Sequence, residues 1–453
     1  METTRLSLKT KLGFGVCDLG GNLFFTIMGF YLLKFMTDVA LLGAALAGTA
    51  IGVVKIVDMV FDPTVGFLSD RTKSRWGRRR PWMFCGAILL FFTMILQYTN
   101  PHIASQTWLF LWMAGAYILL TATYTMVNIP YGSLTPELTS GFDEQTTLNS
   151  YRMSFAVVGT FIGFGAVYPF IGMFHSPDTG WTAMGALMGA IMLVTAMITV
   201  LIVKEPKRTP DEAREQQNLL KTYAAAFRNG PFVMVFTTYA LHICGTAMVQ
   251  AVLTYYFQYI YGPTASWTLA GAALLVPVIP SIIWIWRPLA AKIGKKWSWN
   301  IGMIMVVMAV LAIFMFARQA GPTFFYVVMA FAGIGLATNY VMPYSTLPDT
   351  VELDYARHGV RREGAFYGVF NLMNKLGVAI AILLSGALLG AFGYVPNAAQ
   401  SDLSKLGIQL LLGPIAAVFF IAGIVVFSFY PISRKYYDTE IVPRVEEWNR
   451  KKK

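Results

Sequence analysis

"GFLSDRTKSRWGRRRP" occupies residues 66–81, and six of its residues between 71 and 80 are Lys or Arg. Apolar runs flank it at 43–68 and 82–99, so it reads as a basic loop between two membrane crossings. A copy lies 217 residues further on: "RWGRR" at 75–79 becomes "KIGKK" at 292–296, with every basic position and the glycine kept. A second pair, "PYGSL" at 130–134 and "PYSTL" at 343–347, repeats at an offset of 213 residues. Two matches at nearly one offset imply a six-plus-six parallel repeat, with substrate handled between the halves.

The rest of the chain fits that reading. Its 453 residues are 56% hydrophobic and 13% charged, with mean hydropathy +0.57, whereas soluble domains are about a quarter charged. A hydrocarbon core of about 30 Å takes roughly 20 helical residues. Twelve spans are expected, near 12–37, 43–68, 82–99, 106–131, 150–174, 181–203, 231–260, 267–290, 298–318, 321–345, 363–392 and 408–430. The expected fold is therefore an all-α polytopic membrane protein of two six-helix bundles. The expected domains are 1–203, a cytoplasmic linker at 204–230, 231–430, and a cytoplasmic tail at 431–453. The linker's "PDEAREQQNLLKTYAAAF" has helical composition and is expected to lie along the membrane surface. No cleavable signal peptide is expected, because Asp18 interrupts the first apolar run and no small-residue cleavage site follows.

The net charge of +12 suggests nucleic acid until its distribution is counted. With the N-terminus in the cytoplasm, 29 of the 35 Lys and Arg fall in inside segments and 2 outside, at Arg318 and Lys405. This is a positive-inside signal. Both termini are expected in the cytoplasm, and nucleic acid is not an expected partner. Cys17, Cys85 and Cys244 all fall within spans and read as small apolar fillers. The four histidines show no metal-ligand spacing. No P-loop is present: "GTAIGVVK" lacks the pattern. No cofactor is expected.

The second span carries "KIVDMVFDP", 55–63. A helix turns about 100° per residue, so Lys55, Asp58 and Asp62 share one face. A charge facing lipid costs a few kcal/mol, so this face must line a polar cavity. Two carboxylates one turn apart repel when both are ionised, and a proton, a cation or a lysine relieves them. That is the chemistry of a cation-coupling site. Polar groups recur in other spans: Asp18, Arg152, Tyr124 with Thr125 and Asn128, Asn339 with Tyr340, and Asn371 with Asn374 and Lys375. Aromatic faces with amides, an acid and an arginine suit a polyhydroxylated ligand.

The loop at 66–81 resembles the signature of the major facilitator superfamily, a glycine and an Asp-Arg pair followed by spaced basic residues. The resemblance implies that Asp70, Arg71 and Arg75 form a conformational switch. Over nearly its whole length the chain is similar to the glycoside–pentoside–hexuronide:cation symporters. That likeness rests on "DMVFDP", "NIPYGSL", the helix-1 Asp, the Arg opening helix 5, and "GVRREGAFYGVFN" leading to the helix-11 Lys. It implies that Asp58 and Asp62 bind the coupling cation with help from Thr125. It also implies that Asp18 and Arg152 bind sugar, that Tyr340 packs on it, and that Lys375 stands near the helix-2 carboxylates. Tyr124, Asn128, Asn371 and Asn374 complete the expected substrate site. The chain departs from the family's best-known member at three places. Asn128 replaces an Asp and Gly132 a Trp, which counts against an α-galactoside. Phe61 replaces an amide, which shifts the expectation from Na+ toward H+.

The expected function is symport of a sugar with H+ or Na+ by alternating access. The expected setting is a monomer in a lipid bilayer, the bacterial inner membrane. Two alternatives stay open: another facilitator substrate such as a lysolipid, and a membrane prenyltransferase using D-x-x-x-D. The second needs another aspartate-rich motif, for which only "DTVELD", 349–354, offers itself, without the spacing.

Overall fold

The computed structural model describes residues 6–138, 142–205, 226–262, 266–359 and 362–451. They form helices, and no strand is present among them. The first six long helices are α1 (Leu8–Val39), α2 (Ala44–Arg71), α3 (Arg80–Gln97), α4 (Gln106–Leu138), α5 (Phe142–Gly165) and α6 (Pro177–Ile202). The next are α7 (Gly230–Tyr261), α8 (Trp267–Ile293), and a continuous stretch Lys295–His358 that divides at Gly321. Its parts are α9, 295–320, and α10, 322–358. The series ends with α11 (Glu363–Ala391) and α12 (Asp402–Ser428). Most of the expected surface helix in the linker lies outside the described residues.

Ten helices are long and apolar enough to cross a membrane, the 64-residue stretch counting once. Gly321 breaks it with φ 80° and ψ −177°, a conformation open essentially to glycine, and Pro322 follows. Gly302 and Gly335 then lie against one another, so α9 and α10 fold back as a hairpin. The helix outside the ten is α5, whose first turns are polar. Helix starts follow local chemistry. Asn229 and Ser401 cap α7 and α12, accepting from the backbone N–H of Phe232 and Ser404. Pro81, Pro177 and Pro231 stand in first turns, where a missing N–H costs nothing.

The chain forms two compact units, Met1–Glu212 with Ile382–Ala399, and Ala213–Ala381 with Gln400–Lys453. In the first, Phe14, Met83, Tyr131, Leu134, Leu148 and Val200 form a buried cluster joining α1, α3, α4, α5 and α6. In the second, Tyr239 of α7 stacks on Phe370 of α11 at 4.6 Å, and Trp299 of α9 packs against His242 and Phe427.

Candidate functional site

Gly159 decides the meeting of α1 and α5. A Cβ there would stand 2.2 Å from the Leu19 carbonyl oxygen, so only glycine lets the two backbones come this close. Two turns earlier on α5, Arg152 is thereby brought onto Asp18 of α1. Its Nε lies 2.6 Å from Asp18 Oδ2 and its Nη2 3.3 Å from Oδ1. Nη1 donates to Thr135 at 3.0 Å and to Asn149 Oδ1 at 3.3 Å. The Tyr131 hydroxyl donates to Asp18 Oδ2 at 2.5 Å and accepts from Arg152 Nε at 3.1 Å. The guanidinium also lies over the Tyr131 ring, 4.9 Å from its centre. Both charges are largely withdrawn from solvent, with side-chain exposures of 17% and 13%. A buried charge pair survives only when its remaining donors and acceptors are matched, as they are here.

Above this pair is a cavity of about 50 Å³, whose lining includes Asp18, Asn22, Tyr124, Asn128 and Tyr131. Tyr124 is fixed by stacking on Phe24 at 3.9 Å and by the edge of Phe25. Its hydroxyl is buried and makes no hydrogen bond within the protein. Such a group is costly unless something in the cavity completes it.

A second cluster follows α2. Lys55 and Asp58 are buried, Asp62 is half-buried, and Pro63 stands within the helix. Thr125 of α4, also buried, donates to Asp58 Oδ1 at 3.3 Å. The Lys55 ammonium lies over the Tyr117 ring at 5.6 Å. Lipid-like side chains Val53, Ile56 and Val60 face outward from the same helix. The helix is thus amphipathic, as the spacing of its charges predicts.

At the other end of α2, Asp70 accepts from Arg79, 3.0 Å from Nη2 and 3.3 Å from Nε. Arg78 pairs with Glu205 at 3.0 Å. Arg71, expected as part of the switch, instead lies over the Phe67 ring at 3.8 Å, and Arg75 is exposed. An adjacent residue on a helix points about 100° away, so Arg71 does not turn back onto Asp70. Arg79 returns from across the loop and meets it.

Tyr340, Asn371, Asn374 and Lys375 belong to the second unit. Tyr340 and Asn371 are exposed, Asn374 and Lys375 half-buried, and Asn339 is buried. Reading the sequence missed Tyr131, Thr135 and Arg79. A signal for the first two was available: residues 124, 128, 131 and 135 are spaced by four, three and four, which puts two tyrosines, an amide and a hydroxyl on one face of α4.

Charged clusters buried in a bundle of long apolar helices define a multi-pass membrane transporter of the major facilitator fold. The profile of the family described as "MFS/sugar transport protein" matches residues 13–434, and the chain belongs to that family. It is 27% identical to the glucuronide carrier protein homolog of Escherichia coli, over 99% of this chain and 97% of that protein. It is also 27% identical to the isoprimeverose transporter of Lactiplantibacillus pentosus, over 94% and 88%. A crystal structure of a mutant of the nucleoside transporter NupG superposes with TM-score 0.70 over 93% of this chain and 99% of that one, at 12% identity. The resemblance to the glycoside–pentoside–hexuronide symporters is thereby supported, and the major facilitator fold is the one expected.

Proposed function

We propose that this chain is a symporter that moves a sugar together with H+ or Na+ by alternating access. The observation that carries the reading is the pair of buried clusters within one unit. Asp58 is held by Thr125 beside Lys55, and the Asp18–Arg152–Tyr131 group borders a polar cavity. The names of relatives support a sugar substrate. In this reading Asp58 and Asp62 take up the cation, and neutralising their mutual repulsion favours the sugar-binding arrangement. Coupling is reciprocal, so cation raises sugar affinity by the factor that sugar raises cation affinity. Phe61, between the carboxylates' turns, brings no ligand oxygen and favours the proton. Asp18, Tyr124, Asn128, Tyr131 and Arg152 hold the sugar, and Tyr340, Asn371, Asn374 and Lys375 are the second unit's proposed substrate-binding groups. In this reading the chain is a monomer in a bacterial inner membrane with both termini in the cytoplasm; the charge distribution supports the orientation of the termini.

Uptake into vesicles of purified, reconstituted chain tests this. A sugar panel would be presented with a pH gradient, a Na+ gradient, or neither. Accumulation driven by one gradient is the expected result. Equilibration unaffected by either gradient would remove the coupling, and binding of a lysolipid with no sugar response would remove the sugar.

A further inference from the structure

We infer that the substrate part seated against Asp18 is an uncharged polyol, so that the chain selects neutral glycosides over uronides and sulfonated sugars. This rests on the sugar reading above and sharpens it. Arg152 pairs with the cavity's Asp18, and four of its five N–H donors are taken, leaving one on Nη2. Nε and Nη2 serve Asp18, Nε also reaches Tyr131, and Nη1 serves Thr135 and Asn149. The cavity lining contains Asp18 and no Lys or Arg, so an entering molecule meets the carboxylate with the guanidinium behind it. An ionised carboxylate only accepts hydrogen bonds. It therefore suits sugar hydroxyls, which donate, and opposes a second anion. The other polar side chains on the wall, Cys17, Asn22, Tyr124, Asn128 and Tyr131, carry no positive charge. Tyr124 is 7% exposed and its hydroxyl lacks a partner, so it awaits a hydroxyl group rather than a charge. Anion recognition would need free guanidinium donors in a planar fork, and Asp18 occupies that fork.

Tyr131 is the residue that sets this selectivity. Its hydroxyl stands 2.5 Å from Asp18 Oδ2 and 3.1 Å from Arg152 Nε, so it closes the pair from the cavity side. Removing the hydroxyl strips Arg152 of one acceptor and Asp18 of one donor, without changing the ring that packs on Phe14 at 4.6 Å.

The test is ligand-induced thermal stabilisation of the purified full-length chain at constant ionic strength. The probes are isoprimeverose and methyl glycosides, methyl glucuronide, sulfoquinovose, and a lysophospholipid. The expected result is a shift from neutral glycosides at concentrations at least tenfold below those at which methyl glucuronide acts. Tyr131→Phe is expected to narrow that ratio, and Asp18→Asn, which leaves Arg152 uncompensated, to reverse it. Equal or stronger stabilisation of the wild-type chain by glucuronide or sulfoquinovose would overturn the inference and leave sugar symport standing. A shift from the lysophospholipid alone would overturn both. The wild-type ratio decides the matter even where a variant does not fold, and an unchanged ratio in a folded Tyr131→Phe would remove that residue's role.

Discussion

In the first unit Arg79 reaches back to Asp70 at 3.0 Å, and Arg78 pairs with Glu205 beyond the end of α6. In the second, 217 residues on, Lys295 stands where Arg78 does and Lys296 where Arg79 does. The place of Asp70 is taken by Arg287, so no acid waits at the end of α8. Lys295 instead holds Asp349 of α10 at 2.7 Å, and Lys296 donates to the Tyr430 carbonyl at 3.2 Å. The repeated loop keeps three of the six cations, at 292, 295 and 296, and has no acid of its own. The interiors differ in the same direction. The first unit buries Lys55 and Asp58, half-buries the Asp18–Arg152 pair, and near the end of α1 pairs buried Lys34 with Asp38. Around Trp299 the second unit buries His242, Asn300 and Asn339, and a buried carboxylate, Asp354, lies near the end of α10, where His358 and Arg362 pair with it at 3.0 and 3.6 Å. Buried charge is expensive unless it is used or matched, so we assign the charged chemistry of transport chiefly to the first unit, with Lys375 as the proposed contribution of the second.

The largest expected effect follows from that asymmetry. Asp58→Asn and Asp62→Asn each remove a charge from the α2 face while keeping its shape. Gradient-driven accumulation in vesicles should fall more than tenfold, to simple equilibration, while sugar exchange continues. Undiminished accumulation by Asp62→Asn would detach the coupling site from α2. Next comes Arg152→Ala, which leaves Asp18 buried without its partner. Breaking such a pair costs about 3–5 kcal/mol, and sugar binding should be lost with it. Thermal unfolding in detergent reads the first effect, and a sugar-induced shift the second.

How far the sequence carried the structure shows in these residues. The α2 face and the doubled loop were legible, because each depends on spacing; the division between the ninth and tenth spans was expected just before residue 321, and the structure sets it at Gly321 itself. Asp18 and Arg152 were legible as charges in apolar spans, where each needed a reason. Their mutual contact is another matter. Asp18 and Arg152 are separated by 134 residues, and no local pattern joins them. It takes the approach of α1 and α5 at Gly159 to make the pair. Arg79 was hidden among six basic residues of similar rank, and only the path of the loop selects it. Arg71 was expected from the loop's resemblance to the superfamily signature, and its place next to Asp70 on a helix turns the two side chains apart.

Asp70→Asn should produce a smaller and different effect. The Asp70 side chain is 49% exposed while Arg79 is buried, and the asparagine keeps an acceptor oxygen for the guanidinium. Stability should therefore change little. Uptake should slow severalfold, with no change in the sugar concentration needed for half-maximal binding, if Asp70–Arg79 acts on interconversion rather than on the site. Loss of sugar binding by this variant would instead tie the loop to the site.

The smallest effect is expected at the corresponding loop of the second unit. Lys295 Nζ lies 2.7 and 2.9 Å from the two oxygens of Asp349 and 2.7 Å from the Ser345 carbonyl, a better set of contacts than Asp70 enjoys. Yet its side chain is 40% exposed, so water competes for the charge and salt screens it. Contact geometry alone would rank this pair first, and the exposures, 40% and 14% against 49% and 7% for Asp70 and Arg79, do not separate the two; the smaller expected effect rests on the absence of an acid at position 287. Lys295→Gln keeps a donor near Ser345 and removes only the charge. It should lower stability by less than about 1 kcal/mol and leave vesicle uptake within twofold. A slowing as large as that of Asp70→Asn would show that losing the acid at position 287 did not retire the second loop. The two units would then share the switching work, and the asymmetry would be confined to the charges buried within the bundle.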